Sequence, residues 1–429
     1  MARQMKDSGV EWIGEIPEGW RTCKIKDIFQ VVSGATPKSE QPEYWDGDIV
    51  WVTPADYKTN DKFVSSGKRT LTQAGYDSCG TTLVPAGSIV FSKRAPIGSV
   101  AIAQVPLCTN QGCLSCINKG DADTIFFYYV MSIFTEIFEL YGSGTTFKEL
   151  SYDSFTAFAM TNPPLSEQHR IAAFLDRRCA EIDAVIERTK ATIEEYKKLK
   201  QAVITEAVTK GVRGERKMKD SGIEWIGEIP ETWNVVRIKN LFDYRNERNY
   251  APLEEVNLIS LYTDKGVVQH CDLEETTGNK ASNADGYKLV YEDDIVVNII
   301  LCWMGAIGRS AYNGVTSPAY DVYAPMPGTN SRFYHHLFRT QGFSGDCYKV
   351  GRGIMAMRWR TYSDQFRALK VVCPPAEEQE EIIAYLDEKC AALDTLIAKK
   401  TALLTELETY KKSLIYEYVT GKKEVPACP

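Results

Sequence analysis

The chain is written twice. Residues Met5 to Trp20 read MKDSGVEWIGEIPEGW and Met218 to Trp233 read MKDSGIEWIGEIPETW, with differences only at Val10/Ile223 and Gly19/Thr232. A second pair of segments repeats without gaps, Pro163 to Thr209 on Pro374 to Thr420. It matches Pro163/Pro374, Pro164/Pro375, Gln168/Gln379, Leu175/Leu386, Asp176/Asp387, Cys179/Cys390, Asp183/Asp394, Glu206/Glu417, Val208/Val419 and Thr209/Thr420. Self-similarity of this kind means that one structural plan is built more than once. The order is box, variable segment, helix, and then the same again. The expected divisions are an N-terminal box at 1–20, a first variable domain at 21–162, a first helix at 163–211, a second box at 212–233, a second variable domain at 234–373, a second helix at 374–421 and a tail at 422–429. A chain of 429 residues is also longer than one hydrophobic core normally supports.

The two variable segments differ far more than their flanks, yet they share landmarks. Ile89-Val90-Phe91-Ser92 followed by Pro96-Ile97-Gly98-Ser99 parallels Ile295-Val296-Val297-Asn298 followed by Ala306-Ile307-Gly308-Arg309, with four extra residues in the second loop. Phe126 to Met131 parallels Phe333 to Phe338, and Gly142-Ser143-Gly144 parallels Gly351-Arg352-Gly353. Short β-branched runs bounded by Gly, Pro and Asp predict strands, and the aromatic runs predict one or two helices. The fold class expected is α+β, with two domains of one fold and different loops.

The repeated helices carry apolar residues every seven positions. Leu175, Ile182, Thr189, Tyr196 and Val203 recur in the first, offset by four from Cys179, Ile186, Ile193, Lys200 and Ala207. Leu386, Leu393, Lys400, Leu407 and Leu414 recur in the second, with Cys390, Ile397, Leu404, Lys411 and Tyr418. A narrow heptad seam fits a coiled-coil pairing better than the wider stripe of a domain helix, and the natural partner is the other copy, antiparallel to it. The seam is assigned to Leu175, Ile182, Ile186, Ile193, Tyr196, Val203, Leu386, Leu393, Ile397, Leu404, Leu407 and Leu414. Pro163-Pro164 and Pro374-Pro375 mark the helix starts. Ser166 is the expected cap of the first. A helix from Ser166 to Thr209 extends roughly 65 Å at about 1.5 Å per residue, which makes it a spacer.

Composition narrows the setting. The apolar run from Ile125 to Phe134 is too short to span a bilayer and is expected to be a buried helix, and Met1 to Val10 has no apolar signal region. A cytoplasmic protein is expected, with its 12 cysteines reduced and most of them buried. The net charge of -7 and the pI near 5.4 run against a nucleic-acid binder, so basic residues have to be concentrated locally if DNA is the ligand.

The box ending Trp12-Ile13-Gly14-Glu15-Ile16-Pro17-Glu18-Gly19-Trp20, the helix start Pro163-Pro164-Leu165-Ser166-Glu167-Gln168, the helix end Glu206-Ala207-Val208-Thr209-Lys210-Gly211 and the stretch Gly142 to Leu150 (GSGTTFKEL) together resemble type I restriction-modification specificity subunits. The resemblance covers essentially the whole chain. It implies two target-recognition domains, each reading one half of a bipartite asymmetric site on double-stranded DNA, with the helices setting the unread gap. It also implies two methyltransferase subunits as partners, with restriction/translocase subunits in the full complex. S-adenosylmethionine, ATP and Mg belong on those partners, and this chain is expected to be non-catalytic, with no cofactor or metal of its own and no membrane partner. Gly351-Arg352-Gly353-Ile354-Met355 departs from the Gly-Ser-Gly-Thr-Thr of the first domain. The residues by themselves also admit a double-headed scaffold that reads no bases.

Other motifs weigh little. Asn162-Pro163-Pro164-Leu165 is near the Asn-Pro-Pro-aromatic signature of adenine methyltransferases, where the aromatic packs on a flipped base, but Leu165 replaces the aromatic and no Gly-rich cofactor loop precedes it. Cys108, Cys113 and Cys116 have an iron-sulfur-like spacing without a nearby fourth ligand. His335 and His336 align with Tyr128 and Tyr129, which marks packing positions, and His169 and His270 are isolated. No nucleophile, base and orienter are grouped. For DNA contacts, residues 349 to 370 hold Lys349, Arg352, Arg358, Arg360, Arg367 and Lys370 against the single acid Asp364. In the first domain Lys58, Lys62, Lys68 and Arg69 form a looser cluster. Lys93-Arg94 lies in the loop whose counterpart differs in length, and Lys148 and Arg309 complete the candidate set. Arg and Lys can pair with guanine edges or phosphates.

Overall fold

The computed structural model describes residues 3–57, 61–142, 148–270, 283–353 and 359–426. The chain divides into two compact units, one formed by residues 1–190 with 402–429 and the other by residues 191–401. The division falls at equivalent positions of the two long helices, Leu165–Lys210 and Ala376–Val419. Each unit therefore joins one variable domain to the first part of its own helix and the last part of the other.

In the first unit a five-stranded sheet has the order Phe29–Ser33, Cys113–Asn118, Ile89–Ser92, Val100–Ala103, Phe63–Val64. Its first four strands pair antiparallel, and Phe63–Val64 adds in parallel at the edge. Strand Ile89–Ser92 is buried along its length, which explains its unbroken apolar reading. Trp45–Val52 forms a smaller sheet with Leu107–Thr109 and Arg69–Leu71. Helix Thr124–Ile133 begins where the Asp123 carboxylate accepts from the amides of Ile125 and Phe126, and Phe126 and Phe127 are fully buried.

The second unit repeats the central sheet. Its order is Phe242–Arg245, Tyr320–Pro325, Ile295–Asn298, Ile307–Arg309, all antiparallel. Helix Ser331–Phe338 starts on the Asn330 side chain, which accepts from the Arg332 amide. The four extra residues after Asn298 contribute a 3-10 turn at Cys302–Met304, closed by Gly305 at φ +87°.

The helix segments run antiparallel within each unit. In the first, Phe174 meets Tyr418 with ring centroids 4.5 Å apart and Asp183 meets Lys411. Leu175, Ile182, Ile186 and Leu414 are buried there, with Leu404 and Leu407 packed against them. In the second, Lys200 meets Asp394 and Arg213 meets Glu381. Leu386, Leu393 and Ile193 are buried, Val203 packs on the core, and Tyr196 and Ile397 are half-buried. The fold is thus α+β, with an internal repeat and long paired helices.

One expectation is corrected. Ser166 does not cap the first helix, because Leu165 is already helical and Ser166 lies inside. The ends are secured by glutamine instead. Gln168 Nε2 donates to Asn162 Oδ1 (3.0 Å) and the Pro163 carbonyl (2.9 Å), and Gln379 Nε2 donates to the Pro374 carbonyl (2.8 Å). Asn162, which prompted comparison with methyltransferases, is buried in this contact.

Candidate nucleic-acid interface

Each variable domain is seated on a junction built from the repeated parts. Both helices end at a glycine in the left-handed region, Gly211 at φ +78° and Gly421 at φ +73°, where a side chain is disfavoured. A lysine beside each glycine ties the following or preceding box to the helix end. Lys422 donates to the carbonyls of Ile13 and Glu15, and Lys210 to those of Ile226 and Glu228. The other side of the box is held by an arginine, a tryptophan and a glutamate: Arg3 with Trp20 and Glu167, and Arg216 with Trp233 and Glu378. The expected tail is part of this junction, since Arg170 donates to the Val425 carbonyl at 3.3 Å.

Several candidate cations have partners within the chain. Lys62 pairs with Asp176, which also accepts from Tyr129 Oη at 2.7 Å, and lies over the Phe63 and Tyr129 rings. This fastens the first domain to its helix. The cleft beside it, about 720 Å³, is lined by both signs of charge, among them Lys62, Asp176, Asp183 and Lys411. Arg69 lies 3.4 Å over the Trp45 ring. Lys93 and Arg94 both bind Glu149, at 2.8 and 2.9 Å, and these hydrogen bonds hold the Glu149 carboxyl below its ordinary range. Arg309 pairs with Asp293 and reaches Glu292, Lys349 pairs with Glu224 at 2.8 Å, and Arg367 is half-buried.

Arg94 and Lys349 are exposed in spite of their partners, and so are the remaining described candidates. Lys68 and Lys148 project from the first domain. In the second, Arg352 and Arg360 are directly opposite each other: each backbone amide donates to the other's carbonyl, at 2.8 and 3.0 Å. Both are exposed, and neither makes an ion pair among the described residues. Arg237 and Lys370 form another exposed cationic pair across a ladder, in which Lys370 belongs to the basic run 349–370 and Arg237 lies far outside it. Lys58 and Arg358 lie outside the described residues.

The other sequence motifs resolve into packing. Cys108, Cys113 and Cys116 are buried, and burial raises the Cys108 and Cys113 thiols to about 11 and about 12. His335 Nδ1 accepts the Arg309 amide at 3.1 Å. Burial lowers His335 to about 3 and His336 to about 4. Among the described residues no group of His, Cys, Asp and Glu side chains is arranged to hold a metal ion, and no helix is long and apolar enough to cross a membrane.

A family model described as the type I restriction modification DNA specificity domain matches residues 17–195 and again residues 230–408. The chain is 32% identical over 249 residues to the type I restriction enzyme MjaIX specificity subunit of Methanocaldococcus jannaschii, a match covering 57% of this chain and 56% of that relative. With the MjaVIII specificity subunit of the same organism it shares 24% identity over 428 residues, covering 96% of this chain and 94% of the relative. A solved structure of a type I R-M system, described for its complex assembly and conformational transition, aligns with TM-score 0.71 at 15% identity, over 95% of this chain and 99% of that one. The HsdS subunit from Thermoanaerobacter tengcongensis aligns with TM-score 0.52 at 14% identity, over 95% and 98%. At such identities the likeness is one of fold.

Proposed function

Because the chain belongs to the type I restriction-modification DNA specificity family, we propose that each variable domain reads one half of a bipartite, asymmetric DNA site and that the paired helices set the unread gap. The observation that carries this is the contrast within the repeat. The junctions that hold the domains recur with the same residue types, as in Arg3–Glu167 and Arg216–Glu378, while the domains diverge. Similar readers on a shared spacer address separate half-sites, and two different readers in one chain free the site from being a palindrome. Helices of 46 and 44 residues suit a spacer.

The chain acts in the cytoplasm as the non-catalytic part of a complex with two methyltransferase subunits, joined by restriction/translocase subunits. S-adenosylmethionine, ATP and Mg act on those partners. The helices supply docking ground for the methyltransferase: Val185 and Tyr410 are exposed on the pair in the first unit, and Leu199 and Leu396, their repeat equivalents, in the second. The net charge of -7 makes the isolated chain a poor DNA ligand, so partner subunits supply much of the phosphate contact.

The test is equilibrium binding of duplex DNA, at about 150 mM salt, by the chain alone and by its complex with the methyltransferase subunits. The complex should prefer its own site by about 10³ or more over random DNA, with weak binding by the chain alone. Binding without sequence preference would favour the scaffold reading, and tight specific binding by the isolated chain would remove the need for the partner.

A further inference from the structure

We propose that Arg352 and Arg360 together hold one DNA phosphate on the half-site read by the second domain. The inference rests on the specificity-subunit reading and adds to it the residues and the chemistry of one contact. Like charges directly opposite on a ladder destabilise it, and here two guanidinium groups share a narrow hydrogen-bonded pair, where Cα atoms lie about 5.5 Å apart. No carboxylate among the described residues separates them. An anion placed between them removes the repulsion, and two arginine forks match the oxygens of a phosphate.

The surroundings fix the backbone of the pair. Trp359, next to Arg360, stacks on Tyr348 with centroids 5.1 Å apart and donates to the Tyr348 carbonyl at 3.1 Å. Tyr348 in turn packs on Trp303 of the extra turn, at 5.5 Å. On the other strand, a Cβ at Gly351 would meet Trp359 Nε1 at 2.3 Å, so the ring lies against the backbone just before Arg352. Thr361 closes the base, its amide donating to the Ile299 carbonyl (2.9 Å) and its hydroxyl to the Cys347 carbonyl (3.0 Å). These contacts hold the backbone that carries both arginines, which keeps the two side chains beside each other.

The first domain differs at the place of Arg360. There Glu149 bridges to Arg94 on the backbone and neutralises both Lys93 and Arg94 with its carboxylate. Counted back from the start of the next helix, Tyr152–Thr156 or Ser363–Ala368, Glu149 occupies the place taken by Arg360. The place of Arg360 is thus held in the first domain by an acid that neutralises its neighbours and in the second by an exposed cation, while the counterpart of Arg352, Ser143, lies outside the described residues.

The experiment uses the complex with methyltransferase subunits and a duplex carrying the site mapped by methylation, with affinity measured across salt concentrations. Arg352→Gln/Arg360→Gln should weaken binding roughly 10-fold or more and make the slope of log affinity against log salt shallower by about 1, the value for one phosphate. Arg352→Lys/Arg360→Lys should keep the slope. Lys93→Gln/Arg94→Gln should leave it unchanged. The glutamine variant should also melt at the same temperature as the parent or slightly higher, since repulsion is relieved. A neutral methylphosphonate at the contacted position should weaken the parent complex but not the variant. An unchanged slope overturns the inference. So does a relaxed preference at one G·C pair with the slope intact, which would mean base reading. A parent complex with no site preference overturns the specificity reading itself, and this contact with it.

Discussion

Lys411 donates to both carboxylate oxygens of Asp183, at 2.6 and 2.7 Å, across 228 positions of sequence. The repeat reproduces the contact in the other unit, where Lys200 donates to both oxygens of Asp394 at 2.7 Å. Each unit thus fixes the register of its helix segments with the same ion pair. Its members are partly exposed, which limits its strength to at most about 1 kcal/mol. A double-mutant cycle with Asp183→Asn and Lys411→Met should show coupling of about 0.5–1 kcal/mol in urea unfolding, and the swap Asp183→Lys/Lys411→Asp should recover most of the loss. Strict additivity would show that the pair sets no register.

The two glutamines at the helix starts should differ in weight. Gln168 satisfies Asn162, the Pro163 carbonyl and, through Oε1, the Asp123 amide at 2.9 Å, whereas among the described residues Gln379 donates only to the Pro374 carbonyl and its buried Oε1 has no partner. Leaving buried polar groups unpaired costs about 1–3 kcal/mol each. Gln168→Leu should therefore cost about 2–4 kcal/mol and Gln379→Leu about 1 kcal/mol, read as shifts in the denaturation midpoint. Equal losses would contradict this account of the helix starts.

Acid should weaken the second domain through its histidines. His335 and His336 are held neutral in the fold, at about 3 and about 4, against about 6.5 in the unfolded chain. Below that value the unfolded chain binds protons that the fold refuses, so stability is complete above about pH 6.5 and declines as pH falls toward the folded values. His335→Gln keeps an acceptor for the Arg309 amide and removes the titration. Between pH 7 and 5 the parent should lose about 1–2 kcal/mol more than this variant. Parallel pH profiles would place the acid sensitivity elsewhere.

The repeat made the architecture legible from residues alone: doubled boxes imply doubled junctions, and heptads imply paired helices. Side-chain partnerships were not legible, because they join distant positions. That Lys62 pairs with Asp176, 114 positions away, and that Lys93 and Arg94 share Glu149, is nowhere written in the local sequence. Ser166 has the chemistry of a cap, but the preceding prolines start the helix a residue earlier and the glutamine two positions on takes over the role. The pairing of Arg352 with Arg360 depends on a ladder that local composition does not announce.

The domains should be exchangeable. Replacing residues 234–373 with the corresponding segment of another family member should change one half of the methylated sequence and leave the other half and the gap as they were. Sequencing that detects methyladenine reads this directly, and a change in both halves would contradict separate readers.

The helices' role as a spacer is tested most directly by lengthening both by one heptad, after Thr189 and after Lys400, and mapping methyladenine in cells that carry the altered subunit. Seven residues keep the apolar seam in phase and add roughly 10 Å. At about 3.4 Å per base pair the gap should widen by roughly three base pairs, with both half-sites unchanged. The added pairs also rotate one half-site by about 100°, so activity is expected to fall, and a two-residue insertion in one helix, which breaks the seam, should destabilise the pair instead. An active heptad variant that methylates the same half-sites at the widened gap is the result predicted. An active variant that still methylates at the original gap would show that the helices do not set it.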